Sequence, residues 1–184
     1  RIMYINGEWQ KTDERLDVLN PATSDRIGEV FLVGKKETED AVQAASRAFV
    51  NWSKKTAEAR ASFLRSIAQL IDDRKELFAE LITKEMGKSI RNARYEVKSD
   101  PSKRLTTLKQ PIGVVGAITP WNFPLSMIAR KFAPALAAGC TIILKPAPEA
   151  PLSAVELFKV FDDVQLPKGV VNLVLGEPEE IASI

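Results

Sequence analysis

Three short apolar runs in the second half of the chain constrain the fold more than any other feature. They are residues 112–118, 141–144 and 170–175. Two of them run straight into proline-framed loops, Pro120-Trp121-Asn122-Phe123-Pro124 and Lys145-Pro146-Ala147-Pro148-Glu149-Ala150-Pro151. Between the runs lie two helical patterns. Residues 125–138 carry Ile128, Phe132 and Leu136 on one face and stop at Gly139, and residues 153–164 carry Val155, Leu157, Phe158 and Phe161. Continuous apolar runs of this length read as strands buried on both faces. Strand–helix–strand–helix–strand with short links predicts a right-handed parallel α/β unit. Ligands of such sheets bind beyond the carboxyl ends of the strands, which is where both proline-framed loops begin.

The first hundred residues read differently. They hold 35 of the 50 charged residues, whereas ten of the eleven prolines come later. Met3-Tyr4-Ile5 and Glu8-Trp9 flank Asn6-Gly7, which predicts a type I′ hairpin. Residues 27–33 read as a further strand. Thr38 is the expected N-cap of a helix carrying Ala41, Val42, Ala45, Phe49 and Trp52. A second helix carries Phe63, Leu64, Ile67, Leu70 and Ile71. A third carries Leu77, Phe78, Leu81 and Ile82 and is expected to stop near Gly87.

Composition excludes several chemistries. The chain has no histidine and a single cysteine, Cys140. Ser-His and Cys-His couples, a disulfide framework and a Cys/His zinc site are therefore ruled out. Cys140 follows Gly139 at the entry to an apolar run and reads as a buried structural thiol. An unpaired cysteine suits a reducing compartment, so the expected location is cytoplasmic. A net charge of +2 points to neither nucleic acid nor an anionic membrane. No run approaches the roughly 20 apolar residues of a membrane span. The N-terminus carries no long apolar core of a secretory signal.

Three positions could carry chemistry. Asn122 sits between two prolines that stiffen its loop. Its carboxamide can donate to a developing oxyanion without changing protonation state. The competing reading, favoured by composition alone, is that Asn122 caps the following helix. Lys145 ends an apolar strand, where an ammonium can reach hydroxyls or phosphate. Phe123, Met127 and Arg130 are spaced to share a helical face, offering an apolar wall and a fork for a carboxylate. No G-x-G-x-x-G fingerprint is present, since Gly113 and Gly116 lie within the run rather than at its end.

Several of these segments, with Tyr4-Ile5-Asn6-Gly7-Glu8-Trp9, Asn20-Pro21-Ala22-Thr23, Lys84-Glu85-Met86-Gly87-Lys88 and Leu166-Pro167-Lys168-Gly169-Val170-Val171-Asn172, form one pattern. The chain resembles the N-terminal part of the NAD(P)-dependent aldehyde dehydrogenase superfamily over nearly its whole length. The resemblance implies an α/β fold: a parallel Rossmann-like sheet with flanking helices, preceded by short N-terminal strands and a helical segment, incomplete relative to the family fold. Residues 1–110 would form the strands and amphipathic helices that pack on the cofactor domain. Residues 111–184 would form the Rossmann-like βαβαβ part of the NAD(P)-binding domain, with the catalytic domain absent.

The same resemblance assigns roles. Asn122 would form half of an oxyanion hole. Ile118, Thr119, Pro120 and Trp121 would line the nicotinamide-ribose side of the cofactor cleft, and Lys145 would bind the adenosine ribose, with Ala147 and Pro148 beside it. NAD-preferring members often carry Glu three residues after the lysine. Pro148 stands there instead, so NADP or NAD is the expected cofactor. The run from Asn122 to Lys131 is most similar to succinate-semialdehyde dehydrogenases, where the arginine at the position of Arg130 helps bind the distal carboxylate, with Phe123 and Met127 on the same wall.

The expected substrate is thus a small-molecule aldehyde, succinate semialdehyde first, handled by a homo-oligomer (dimer or tetramer) without nucleic acid or membrane partners. The alternatives are a catalytically dead cofactor- or partner-binding remnant, or an aldehyde dehydrogenase of other specificity. The family's nucleophilic cysteine and general-base glutamate would lie beyond Ile184, so these 184 residues alone are expected to show no turnover. Two further expectations follow. Residues 98–102 are shorter than the family's helical stretch there, and residues 170–175 would form an exposed sheet edge.

Overall fold

The computed structural model describes residues 3–97 and 111–176. Asn6 and Gly7 both take positive φ, 53° and 75°. This is the type I′ turn that the Asn-Gly pair encodes, because its twist matches that of the flanking strands. It joins β1 (Met3–Ile5) antiparallel to β2 (Glu8–Gln10). A second antiparallel pair follows, β3 (Arg15–Leu19) and β4 (Arg26–Phe31), as a separate two-stranded sheet.

Four helices come next: α1 (Lys35–Trp52), α2 (Ala57–Asp73), α3 (Lys75–Met86) and α4 (Ile90–Val97). Thr38 is not the cap of α1. Gly34 is, with the Glu37 carboxylate accepting from the Gly34 amide at 3.1 Å. Thr38 lies one turn inside, buried, its hydroxyl donating to the Gly34 carbonyl at 2.9 Å. A Thr can make that back-bond within a helix, so its presence alone does not mark the start. The end of α3 is where Gly87 was expected to put it, in the left-handed region at φ 74°.

The α/β unit then runs β5 (Val114–Ile118), α5 (Ser126–Ala138), β6 (Thr141–Lys145), α6 (Leu152–Asp163) and β7 (Val171–Leu173). The three strands are parallel, and β1 adds to the far side of β7 through a Tyr4–Leu173 pair. The five-stranded order is β2-β1-β7-β6-β5. This overturns one expectation. The strand β7 is interior, and the open edge of the parallel unit is β5.

Helix α1 packs on one face of the sheet, while α5 and α6 pack on the other with α2 and α3 outside them. On the second face an edge-to-face chain of rings runs from Phe132 on α5 through Phe161 and Phe158 on α6 to Tyr4 on β1 and Trp9 on β2. Its centroid spacings are 5.1, 5.0, 5.6 and 4.9 Å. Each such contact adds about 1 kcal/mol to the area buried. Asp162 closes the chain by accepting from the Tyr4 hydroxyl at 3.1 Å and the Trp9 indole at 3.3 Å. Burial and that carboxylate both push the Tyr4 phenol upward.

The strand β6 is buried along its whole length, as its apolar run requires. The strand β5 is not. Val115 and Ala117 face α5, but on the α1 side only Val114 is packed, and Gly116 and Ile118 are exposed. An apolar run predicts two covered faces, yet α1 reaches only the first residue of this one.

Candidate functional site

The two proline-framed loops leave the sheet side by side. Ile118 and Lys145 are register partners at the ends of β5 and β6, and the Thr119 amide donates to the Lys145 carbonyl at 3.1 Å. Alternation along the strands puts both side chains on the face of Val114 and Ile143. Ile118 is 59% exposed there, beside uncovered Gly116, whereas Lys145 is buried. Thr119 is buried too, and its hydroxyl has no hydrogen-bond partner among the described residues. Pro120 and Trp121 are exposed, and Ala147 and Pro148 are half-buried.

A buried hydroxyl without a partner costs about 1–3 kcal/mol. One placed at the carboxyl end of a parallel strand, on a residue bonded through its backbone to Lys145 and one residue past an open sheet face, fits a group rich in hydroxyl and phosphate oxygens. A nucleotide cofactor is such a group. The seven positions expected to hold it (118–121, 145, 147 and 148) thus fall on two paired strand ends and the loops that leave them.

Asn122 is exposed, and its carboxamide has no partner among the described residues. It does not cap α5. The amides at that helix start, those of Leu125 and Ser126, donate instead to the Glu96 carboxylate at 3.0 and 3.1 Å. The side chain of Glu96 is completely buried and pairs with Lys88 at 2.5 Å. A buried carboxylate persists only with such compensation, and a helix N-terminus adds favourable dipole ends. Lys88 also donates to the Asn122 carbonyl at 3.0 Å and stands 3.9 Å from the centre of the Phe123 ring. Reading the sequence for sites did not single out Lys88 or Glu96. They lie 34 and 29 residues upstream of their loop partners, Asn122 and Leu125. The only trace of either is Lys88 in the Lys84–Lys88 motif.

Phe123, Met127 and Arg130 share one wall of an open cleft of about 520 Å³, facing Asn92 and Tyr95. The Lys88 and Glu96 charges in that cleft cancel. Arg130 is exposed and makes no ion pair among the described residues. The cleft is therefore suited to an apolar stem ending in an anion.

The Lys84–Lys88 motif acquires a physical meaning here. Glu85, buried on α3, accepts from the Leu152 amide at 2.7 Å and from the Ser153 amide and hydroxyl at the start of α6. Desolvation is the main force on this carboxyl and pushes it up to about 7, against the pull of those donors. Glu85 thus ties α3 to the element after the Lys145 loop, and Lys88 ties the following turn to the Asn122 loop. Cys140 lies apart, buried just before β6, at the opposite end from Lys145, its sulfur accepting from the Ile112 amide at 3.4 Å. The shortened stretch 98–102 lies outside the described residues.

Comparison with known proteins gives one consistent answer. The profile of the Aldehyde dehydrogenase family matches residues 9–100 and 97–184. The chain is 40% identical to glutarate-semialdehyde dehydrogenase of Pseudomonas putida over 97% of its own length and 42% of that protein's. It is 42% identical to the NADP(+) succinate-semialdehyde dehydrogenase of Escherichia coli over 94% of its length and 41% of the relative's. Among solved structures, betaine aldehyde dehydrogenase of Staphylococcus aureus in complex with NAD+ superposes with a TM-score of 0.90 at 33% identity, covering 98% of this chain and 41% of that one. The chain thus spans about two fifths of the proteins it matches.

Proposed function

The chain belongs to the aldehyde dehydrogenase family, and on that premise we propose that it supplies one wall of the cofactor cleft and one oxyanion donor to an enzyme that oxidises a carboxylated aldehyde, succinate semialdehyde first. The observation that carries the substrate class is Arg130: an exposed guanidinium without an ion pair among the described residues, on the wall built by Phe123 and Met127. A forked guanidinium matches a carboxylate. The names of the Pseudomonas and Escherichia relatives, both dehydrogenases of semialdehydes of dicarboxylic acids, support the same class.

Ile118, Thr119, Pro120, Trp121, Lys145, Ala147 and Pro148 would hold the cofactor, NADP or NAD. Its nicotinamide supplies the hydride acceptor when bound. Pro148 offers no carboxylate to repel a 2′-phosphate, and the NADP(+) specificity named for the Escherichia relative fits that. Asn122 would donate its carboxamide N–H to the aldehyde oxygen as charge develops there. The attacking thiolate is not Cys140, which is buried at the wrong end of β6. A division near residue 110 and a cytoplasmic homo-oligomer belong to the same proposal.

The test is a chimera in which this chain replaces the matching region of the Escherichia enzyme. NADP+- or NAD+-dependent oxidation of succinate semialdehyde supports the reading. A folded chimera that reduces neither cofactor with any semialdehyde contradicts it.

A further inference from the structure

The Asn122 loop is gripped at its middle and just past its end by one ion pair. At its middle, Lys88 donates to the carbonyl of Asn122 at 3.0 Å and faces the Phe123 ring. Just past its end, Glu96 accepts from the Leu125 and Ser126 amides at the start of α5. Lys88 and Glu96 are joined at 2.5 Å, with side chains 11% and 0% exposed. Lys88 follows Gly87 at the end of α3, and Glu96 lies on α4, so both come from the helical segment and neither from the sheet that carries the loop.

The geometry points to Lys88 and Glu96 as positioning residues for the Asn122 carboxamide, an inference that rests on the oxyanion role proposed above. Pro120 and Pro124 stiffen the loop but do not fix its placement relative to the cleft. Asn122 itself makes no side-chain bond among the described residues that would do so. Its backbone is held through its carbonyl, leaving the carboxamide free for a ligand. The pair also sets the charge of the cleft. Without Lys88, Glu96 would keep only its two amide donors, and its unpaired charge in the cleft that Arg130 lines would weaken binding of an anionic substrate, an effect on KM rather than on kcat.

The direct test is nuclear magnetic resonance on the full 184-residue chain labelled with 15N-asparagine. The expected result is that Lys88→Met and Glu96→Gln each shift and broaden the Asn122 side-chain and backbone signals, while Asn172, buried on β7, is unmoved. Lys88→Arg, which keeps a cation for both partners, restores them toward wild type and serves as the reporter if Lys88→Met fails to fold. Unchanged Asn122 signals in Glu96→Gln and Lys88→Met, or a shift equally large in Lys88→Arg, overturn the inference.

In the chimera, Lys88→Met should lower kcat by about tenfold to a hundredfold, the cost of misplacing a reacting group by about 1 Å. In an Asn122→Ala background the same change should alter kcat by no more than about twofold, because its effect passes through Asn122. Additive losses overturn the inference even if the chimera is active. An inactive wild-type chimera contradicts the proposed function and leaves the resonance experiment to decide the role of the pair.

Discussion

The amide of Thr119 donates to the carbonyl of Lys145 at 3.1 Å, one step beyond the Ile118–Lys145 register pair. That bond extends the parallel ladder past the last strand residue. It makes the Asn122 loop and the loop after Lys145 diverge from one point. Parallel sheets bind ligands at such points because strand ends expose backbone and side-chain donors together.

Arg130 should discriminate between aldehydes. In the chimera, Arg130→Ala is expected to lower kcat/KM for succinate semialdehyde by roughly 10- to 100-fold, the worth of charged hydrogen bonds to a carboxylate. An uncharged aldehyde of similar length should lose far less. Equal losses for both would remove the carboxylate-binding role.

Glu85 should make stability depend on pH. Its carboxyl is pushed up to about 7 in the folded chain by burial, from an ordinary value of 4.5. Between those values the folded state holds a proton that the unfolded state has released. Stability from this group is therefore complete below about pH 4.5 and is lost as pH rises through about 7, amounting to roughly 3 kcal/mol. Denaturant titrations across that window should show the decline in the wild-type chain and a flatter profile in Glu85→Gln. An identical slope in both would show that another group is responsible.

Gly169 should not tolerate a side chain. It takes φ 80°, and a Cβ there would lie 2.7 Å from the carbonyl oxygen of Ala44 on α1. Strain and overlap together predict that Gly169→Ala destabilises the chain by about 2–4 kcal/mol. A thermal melt should show a lower Tm. An unchanged Tm would mean that α1 does not pack so closely on the turn before β7.

Local chemistry made much of this fold readable. Asn6-Gly7 needs two positive φ values, and Gly87 and Gly139 take left-handed caps, so turns and helix ends appear in the sequence itself. The alternation of apolar runs and helices likewise gave the parallel unit. Thr38 failed as a cap because the helix already starts at Gly34, with Glu37 accepting from the Gly34 amide, and the Thr38 hydroxyl donates back to the Gly34 carbonyl. The burial of β5 was misread because an apolar residue such as Ile118 looks the same whether its cover is present or not.

At the site, the spacing of Phe123, Met127 and Arg130 was readable because α5 carries the last two and the Met127 amide donates to the Phe123 carbonyl at 2.9 Å, which keeps Phe123 in helical phase. The placement of Asn122 was not. Its competing role as a cap is taken by Glu96 on α4, and its backbone is held by Lys88 in the turn between α3 and α4, both distant in sequence and brought to the loop only by tertiary packing.

The central claim is that Asn122 acts on the aldehyde oxygen rather than on the fold. The measurement is kcat for semialdehyde oxidation by the chimera carrying Asn122→Ala, beside its melting temperature. The account predicts a fall of about 10²- to 10³-fold, the cost of removing one oxyanion donor, with the melting temperature unchanged. A wild-type kcat, or a loss that merely tracks a lower melting temperature, would contradict it.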